Sequence, residues 1–277
     1  MANILVPFDF SPNAIAALEQ AFYIADGKGL NVEVLHILNF KAAHDYPKEW
    51  NIDPHHVDLG AIHTRLSELV FDKMEACCGG RNKLEVTTLV KESVMINGGI
   101  INHMLLERSD IIIMGTHGAT NAMERFWGSN TATMINHALF PVMAVPPHWN
   151  PVRFKELIAA VNLKELATLA PQIIKWADWL HAEAEVVTMT SLPSTDQEEL
   201  DKAIQEYPGI KAHLVEKKND LPMWKNLVQF TAERKEAALL MFVHERTVLE
   251  KLFNYSITSK VADGIRIPLL ALPTKHK

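Results

Sequence analysis

The segment that decides the fold reads IIIMGTHG at residues 111–118, and after nine further residues GSNT follows at residues 128–131. The apolar run Ile111–Met114 predicts a buried strand, and the glycines behind it let the backbone turn and approach a ligand closely. Ser129 is a typical helix cap, and apolar spacing through Met134 and Ala138 predicts a helix. Loop amides at the start of a helix bind anions, so this segment predicts an anion site.

Working outward, short apolar runs alternate with helical stretches, which is typical of a parallel sheet covered by helices. Ser11 and Pro12 predict the first helix start, Gly27 and Gly29 its end, and Gly79–Gly80 the end of the second helix. Two further helices are predicted at Ile62–Cys78 and from about Ile100 to Glu107. The predicted strands of the first half are Ile4–Val6, Val32–Leu38, Leu84–Val90, Ile111–Met114 and Val142–Val145.

The segment Pro146–Pro151 contains three prolines in six residues and can continue neither a helix nor a central strand. We therefore predict two domains, residues 1–147 and residues 152–277. Helices are predicted through Trp176 and Leu180, from about Glu198, and up to Arg234. The predicted strands of the second half are Leu157–Val161, Glu185–Thr190, Ile210–Val215, Leu239–Val243 and Leu269–Leu272.

The two halves repeat one pattern. At one constant spacing, Ile113–Met114 aligns with Leu240–Met241, Pro141–Val142 with Pro268–Leu269, and Val145–Pro146 with Leu272–Pro273. Near the start of each half Asp9 aligns with Asn162 instead, and an insertion from Phe40 to about Gly60, predicted as a loop, accounts for the different spacing. The fold class predicted is α/β, with two tandem open sheets of five mostly parallel strands and helices on both faces.

Charge and composition exclude several function classes. The sequence has 27 Lys and Arg against 33 Asp and Glu, a net charge of −6, and no cationic stretch, which argues against nucleic-acid and charge-driven membrane binding. The N-terminal residues lack a signal sequence, and no stretch approaches the ~20 apolar residues of a membrane span, so we expect a cytoplasmic protein. The adjacent Cys77 and Cys78 argue against a disulfide framework and a zinc site.

The spacing Gly115-x2-Gly118-x9-Gly128-Ser129 after an apolar strand resembles the ATP-binding signature of the universal stress protein family. The opening Pro7–Ser11 and the segment Leu35–Ile37 also resemble that family, so the resemblance covers the whole first half. It implies an adenine nucleotide alpha hydrolase-like, Rossmann-like fold and ATP as the ligand, with or without Mg²⁺. Beyond this half the sequence resembles the family only in pattern.

The resemblance also implies which residues hold the nucleotide. Asp9 would bind the ribose or adenine, Pro7 and Ile37 would line the base pocket, and Met114 would border it. The phosphate side would be formed by Gly115, His117, Gly118, Thr120, Asn121, Gly128, Ser129, Asn130 and Thr131. Val94 stands where the family has a glycine after the third strand, so the resemblance does not predict the shape of the neighbouring pocket wall.

The second half is expected to bind no ATP. Its positions aligned with Gly115, Gly118 and Gly128 hold Phe242, Glu245 and Tyr255, and only Ser256 is retained. Side chains would fill the phosphate space, and the Glu245 carboxylate would repel a phosphate by several kcal/mol in a poorly solvated site, on the order given by Coulomb's law.

An enzymatic function is not expected, although slow ATP hydrolysis stays open. The segment has neither the spacing nor the lysine of a P-loop, and no carboxylate near His117 supports acid–base catalysis. Arg125 lies between the loop glycines and would contact either a phosphate or another surface. The favoured function is an ATP-binding stress-response or signalling module, and the alternative is a nucleotide-free interaction protein.

The insertion offers a different class of function. Asp53, His55, His56 and Asp58 are potential metal ligands, but their spacing favours a solvated loop. Tyr46 and Trp50 in the same insertion are candidates for contact with a protein partner or the second domain. Family members pair their last strands, so Val142–Val145 and Leu269–Leu272 are expected to pair within one chain, and assembly into a homodimer stays open.

Overall fold

The computed structural model describes residues 3–39, 58–79, 84–116, 129–137, 139–191, 193–217, 223–243 and 265–274. The chain divides into two compact units, one formed by Met1–Met134 with Phe140–Pro151 and the other by Ile135–Leu139 with Val152–Lys277. The elements of the first half are β1 Asn3–Pro7, α1 Pro12–Ala25, β2 Asn31–Leu38, α2 Leu59–Cys78, β3 Glu85–Glu92, α3 Ile96–Glu107, β4 Ile111–Gly115, α4 Ser129–His137 and β5 Val142–Val145.

The second half repeats this alternation. Its first helix, α5, is preceded by one turn of 3-10 helix at Leu163–Glu165. The elements are β6 Glu156–Ala160, α5 Leu166–Leu180, β7 Glu183–Thr190, α6 Pro193–Gln205, β8 Ile210–Glu216, α7 Met223–Thr231, β9 Ala237–Val243 and β10 Leu269–Pro273.

Each unit contains a parallel sheet of five strands in the same relative order. In the first unit the strand order is β3-β2-β1-β4-β5, and in the second β8-β7-β6-β9-β10, with parallel pairing throughout each unit. The chain leaves β1 toward β2 and β3 and later returns to add β4 on the other side of β1. Strand order therefore reverses between β1 and β4, and in open parallel sheets ligands bind at the carboxyl ends of the strands beside such a point. The predicted α/β fold class is confirmed.

Local sequence signals explain where the helices begin and end. Ser11 caps α1 by accepting from the Ala14 amide, with Pro12 in the first turn, as predicted. The Asp58 carboxylate caps α2 by accepting from the amides of Gly60 and Ala61. Gly79 ends α2 in the left-handed conformation, at φ 59°.

Several predicted bounds were wrong. Helix α3 begins at Ile96 and not near Ile100, because Gly98 and Gly99 interrupt the apolar pattern without breaking the helix. Helix α2 begins at Leu59, so Gly60 lies in a helix and not at the end of a loop. Helix α6 begins at Pro193 and not near Glu198. Residues 40–57 of the predicted insertion lie outside the described residues.

The apolar runs of the strands form the cores of the two units. Ile4, Leu5 and Val6 of β1 are fully buried, as are Ile111–Ile113 of β4. In the second unit Leu157–Ala159 and Ala237–Leu240 are equally buried. Burial of the central strands on both faces fixes their side chains, so the carboxyl ends of β1 and β4 form a rigid base for a site. Among the described residues, none of the helices combines the length and apolar character needed to cross a bilayer.

Candidate functional site

The carboxyl ends of β1, β2 and β4 place several predicted residues at one edge of the first sheet. Pro7 ends β1 opposite Leu35, and Phe8 donates its amide to the Leu35 carbonyl at 2.9 Å. Ile37 lies one residue before the end of β2 and is nearly buried. Met114 and Gly115 end β4, where Gly115 pairs with Val145. The predicted residues Pro7, Asp9, Ile37, Met114, Gly115, Asn130 and Thr131 belong to segments that begin or end at this edge.

Gly115 is required by the packing of β4 against the start of α1. A Cβ atom at this position would lie 2.6 Å from the Asn13 carbonyl oxygen and 2.7 Å from its carbon. Both contacts are far below the van der Waals limit, and both atoms belong to the backbone, so neither can give way easily. Only glycine therefore allows the first turn of α1 to approach the end of β4.

The start of α4 is held over the same strand end. Thr131 is buried, and its hydroxyl donates to the Gly115 carbonyl oxygen at 2.7 Å. Thr116 donates its amide to the Val145 carbonyl at 3.0 Å and is buried as well. The Thr131 bond brings the first turn of α4, which contains Asn130, beside Gly115.

Two helix N-termini therefore adjoin Gly115. Neither α1 nor α4 has an acidic residue in its first turn, and the carboxylate described beside the start of α1, that of Asp9, accepts from the Ser11 amide. An arrangement of this kind attracts a negatively charged group such as a phosphate. The predicted residues His117, Gly118, Thr120, Asn121 and Gly128 lie outside the described part of the chain, and of Ser129 the structure describes only its position at the start of α4.

Asp9 is exposed at the end of β1. One of its carboxylate oxygens accepts from the Ser11 amide at 3.1 Å, which closes a turn before α1. In the second unit Asn162 occupies the aligned position, and its side-chain oxygen accepts from the Lys164 amide at the same distance of 3.1 Å. The turn needs only an acceptor oxygen, so the negative charge of Asp9 is not required to form it.

His36 belongs to this region, although its sequence position did not single it out. The imidazole is buried, and Nδ1 lies 2.7 Å from the Phe8 carbonyl oxygen, so Nδ1–H donates to it. Burial lowers the pKa of His36, and the Phe8 carbonyl and the Asp9 charge only partly offset this effect. The Phe10 ring packs against the imidazole at 5.0 Å, and Phe10 adopts a positive φ of 63°, which is uncommon for a residue other than glycine.

Gly99 is a second residue that the sequence did not single out. A Cβ atom here would lie 2.9 Å from Cδ1 of Ile37 and 3.1 Å from the Ser93 Cβ. Gly99 therefore provides the space that the Ile37 side chain occupies. Val94, which stands where the family pattern has a glycine, is largely exposed. The packing around the Ile37 side chain therefore depends on Gly99 of α3 and not on Val94.

Metal binding has little support in the described residues. Within the ranges that the structure describes, no three His, Cys, Asp or Glu side chains come close enough to hold an ion. Asp58 is engaged as the cap of α2, and Asp53, His55 and His56 lie outside these ranges. Neither Cys77 nor Cys78 forms a disulfide within the described ranges, and burial, together with nearby Glu19, raises the pKa of Cys77 to about 11.

Comparisons with known proteins show which folds this chain resembles. A universal stress protein from Archaeoglobus fulgidus is 16% identical, with 98% of each chain covered and a TM-score of 0.70. A putative universal stress protein from Pseudomonas aeruginosa is 15% identical, covers 99% of this chain and 93% of its own, and has a TM-score of 0.67. At this identity the likeness shows a common fold.

A universal stress protein solved in complex with cAMP is also similar, at 15% identity over 52% of this chain and 96% of that chain, with a TM-score of 0.38. None of the curated proteins matches the sequence. The model of the universal stress protein family matches residues 1–146, which is more than half of the chain. The chain belongs to the universal stress protein family.

Proposed function

We propose that the first unit binds an adenine nucleotide, ATP, at the carboxyl ends of β1, β2 and β4, and that binding serves a stress-response or signalling role. The observation that carries the proposal is the pair of turns at Asp9 and Asn162. Each side chain accepts a hydrogen bond at 3.1 Å from the backbone amide two residues later, but only Asp9 of the first unit carries a charge. A charge that the turn does not need, and that is exposed at the point where strand order reverses, is available to accept hydrogen bonds from ribose hydroxyls.

The phosphates would lie against the loop that follows Gly115. The close approach of Asn13 and the bond from Thr131 bring two helix N-termini to this point, and the spacing of Gly118, Gly128 and Ser129 supplies further backbone amides. Thr120, Asn121 and His117 belong to the same stretch of sequence, between Gly115 and Gly128, and would take part in this site. Mg²⁺, when present, would arrive with the nucleotide, because the described residues supply no carboxylate cluster for it.

The base would lie between Pro7 and Ile37, bordered by Met114. Ile37 and Met114 are nearly buried apolar side chains, and such side chains favour a planar aromatic base over a charged group. On the side of Ile37 that faces α3, Gly99 leaves room for the Ile37 side chain. This side chain can therefore pack closely against α3 and need not extend into the proposed base pocket.

The second unit is proposed to bind no ATP. Phe242 replaces Gly115, and a side chain at this position does not permit the contact that Gly115 makes with Asn13. In agreement with that difference, the segment after β6 begins with a 3-10 turn where α1 begins directly as an α-helix. Titration of the isolated second half with ATP checks this part, and binding there would contradict it.

The protein is proposed to be a binding module and not an enzyme with rapid turnover. None of the described residues at the site forms a nucleophile–base pair, and the imidazole of His36 is engaged with the Phe8 carbonyl. Turnover of ATP many times per minute, lost in Gly118→Asp, would replace the proposal with an ATPase. A cytoplasmic location, pairing of Val142–Val145 with Leu269–Leu272 within the chain, and a homodimer complete the proposal.

Calorimetric titration of the full chain with ATP tests the role of Asp9. We expect Asp9→Asn to keep the turn, as Asn162 does, and to weaken ATP binding about tenfold to a hundredfold, the worth of a hydrogen bond to a charged group. The matched control is Asn162→Asp, which changes the aligned position of the second unit and should leave the affinity unchanged. A wild-type protein that shows no ATP binding, or an Asp9→Asn protein with wild-type affinity, would contradict the proposal.

A further inference from the structure

Helix α3 is apolar on its outer face as well as on the face that packs on the sheet. Ile100, His103 and Met104 are buried against the sheet, whereas Leu105 and Leu106 are 64% and 65% exposed. At the start of the helix, Val94 and Met95 are 74% and 69% exposed. Apolar side chains on both faces are typical of a helix that is covered on both sides, but in the described part of the chain Val94, Met95, Leu105 and Leu106 are exposed on the outer face of α3.

Residues on this outer face do not serve the stability of the helix itself. Met95 occupies the N-cap position and makes no capping bond with its side chain, although Ser, Thr or Asp there would stabilise the helix by about 1 kcal/mol. Gly98 lies inside the helix at a further cost of about 1 kcal/mol relative to alanine. Its Cβ would meet the Met95 Cβ at 3.5 Å, an ordinary contact, so none of the contacts that the structure describes requires a glycine there.

The buried face of α3 is anchored firmly. His103 is fully buried, and its Nδ1 accepts from Lys91 Nζ at 2.9 Å, since an ammonium group can only donate. The other ring nitrogen, Nε2, therefore carries the proton and faces a Glu33 carboxylate oxygen at 3.3 Å. Ser109, just after the helix, donates to the same oxygen at 3.2 Å. With its inner face held in this way, α3 presents the outer face as a fixed surface.

The outer face is self-complementary. Along the helix it carries the apolar pair Val94–Met95, then Gly98 and Asn102, then the apolar pair Leu105–Leu106. In two copies placed antiparallel about a two-fold axis near position 100, Val94 and Met95 of each copy would face Leu105 and Leu106 of the other. Gly98 of each copy would face Asn102 of the other, where the small residue allows close approach. A two-fold contact of this kind uses the same patch on both partners.

The charge distribution favours a second copy as the occupant. The chain has a net charge of −6, so two copies repel each other over most of their surfaces, yet the exposed residues from Val94 to Leu106 carry no charge. At the two ends, exposed Glu92 and exposed Arg108 lie equally far from position 100 in opposite directions. The antiparallel arrangement therefore brings Arg108 of one copy toward Glu92 of the other at both ends, while exposed Glu107 of the first copy faces Ser93 of the second.

We propose that the outer face of α3, defined as residues Val94, Met95, Gly98, Asn102, Leu105 and Leu106, is the contact between two copies of this chain in a two-fold homodimer. One helix of 12 residues covers less than the ~800 Å² per partner of a standard interface, so the dimer is weak and forms at micromolar concentrations. Dimer formation does not require nucleotide, so failure of ATP binding leaves this proposal intact.

Sedimentation velocity of the full chain from about 1 to about 200 μM, a range that brackets a micromolar Kd, tests the proposal. We expect a monomer–dimer equilibrium in the wild type and a monomer throughout in Leu105→Glu/Leu106→Glu, because the symmetric contact would bury four carboxylates. The matched control, Phe71→Glu, alters a half-exposed apolar residue of α2 and should dimerise as the wild type does. A wild type that stays monomeric, or a double variant that still dimerises, would overturn the proposal.

A cross-linking experiment keeps the test independent of how the charged variant folds. In a Cys77→Ser/Cys78→Ser background, proteins with Gly98→Cys and with Asn102→Cys are mixed and treated with a short bis-maleimide. The antiparallel contact predicts efficient cross-linking between the two variants, and none when Phe71→Cys replaces either of them. Equal cross-linking in the Phe71→Cys mixtures would contradict the assigned face.

Discussion

The buried imidazole of His36 shows how one residue can combine a structural bond with sensitivity to pH. Its Nδ1–H donates to the Phe8 carbonyl, and the aligned position of the second unit holds Thr188, whose hydroxyl donates to the Val161 carbonyl at 3.3 Å. Both residues tie the end of the second strand of their unit to the segment after the first strand. Only the histidine can take up a proton.

Because burial lowers the pKa of His36 below 6.5, the unfolded state binds more protons than the folded state as the pH falls through 6.5. The folded protein should therefore lose stability on acidification, by at most about 1.4 kcal/mol per pH unit from this group. We expect His36→Thr, which copies the residue of the second unit, to reduce the fall in unfolding temperature between pH 7.5 and pH 5.5. Equal falls in wild type and variant would contradict this role.

Asp9 and Gly115 could be singled out from the sequence because an acidic residue after a strand and a glycine at a strand end are typical of binding sites, and their roles toward a nucleotide stay predictions. His36 and Gly99 could not, since a histidine in a buried strand and a glycine inside a helix serve many different purposes in folded proteins. Only the distances from His36 to the Phe8 carbonyl and from Gly99 to the Ile37 side chain reveal what these residues do.

At the scale of elements, the packing of α3 on β2 determines one wall of the proposed base pocket. Gly98 and Gly99 are neighbours in the same helix, but a Cβ at Gly99 would meet the Ile37 Cδ1 at 2.9 Å, while Gly98 has ordinary contacts only. The Ile37 δ-methyl is the flexible end of a side chain, so it can move aside at a small cost in stability. The consequence is a change in the shape of the pocket.

We expect Gly99→Ala to displace the Ile37 δ-methyl and to weaken ATP binding about tenfold, while stability changes little. Ile37→Val removes the atom that the new methyl would meet, so Gly99→Ala/Ile37→Val should recover most of the affinity. Gly98→Ala is the control, with unchanged affinity and a gain of about 0.5–1 kcal/mol in helix stability. Titration calorimetry and chemical denaturation measure both quantities, and a double variant no better than Gly99→Ala would contradict the mechanism.

The sequence predicted the type and order of the elements well because buried parallel strands are short apolar runs, and because the start of α1 and the end of α2 carry the cap residues Ser11 and Gly79. It failed at the start of α3, where Met95 stands at the cap and two glycines follow. Of these residues, Met95 and Gly98 also belong to the outer face proposed for dimerisation. At the start of α3, the disagreement between local signals and the final structure is consistent with residues that serve a contact beyond their own helix.

At the scale of the whole molecule, the repeat seen in the sequence extends to individual bonds. Asp9 and Asn162 close the same turn, and His36 and Thr188 donate to equivalent carbonyls. Glu33 and Glu185 align as well, and each faces an imidazole, from His103 and His213 respectively. Sequence comparison found the repeat through matching apolar residues, but it could not find bonds that are made by different residue types in each unit.

The two units differ where the nucleotide is proposed to bind. Glycine at position 115 permits two helix N-termini to meet the strand end, whereas Phe242 stands at the aligned position. Asp9 keeps a charge that Asn162 lacks. The central claim is therefore that one unit of the repeat retains an ATP site and the other retains only the fold.

Denaturing the purified full chain and identifying any released nucleotide by chromatography and mass spectrometry tests this claim most directly, with ATP added beforehand in a parallel sample. Gly118→Asp is the comparison, because a carboxylate in the glycine loop would repel phosphates. We predict close to one adenine nucleotide per chain from the wild type after loading, and almost none from Gly118→Asp. A wild type that releases no nucleotide even after loading, or a Gly118→Asp protein that releases as much, would contradict the account.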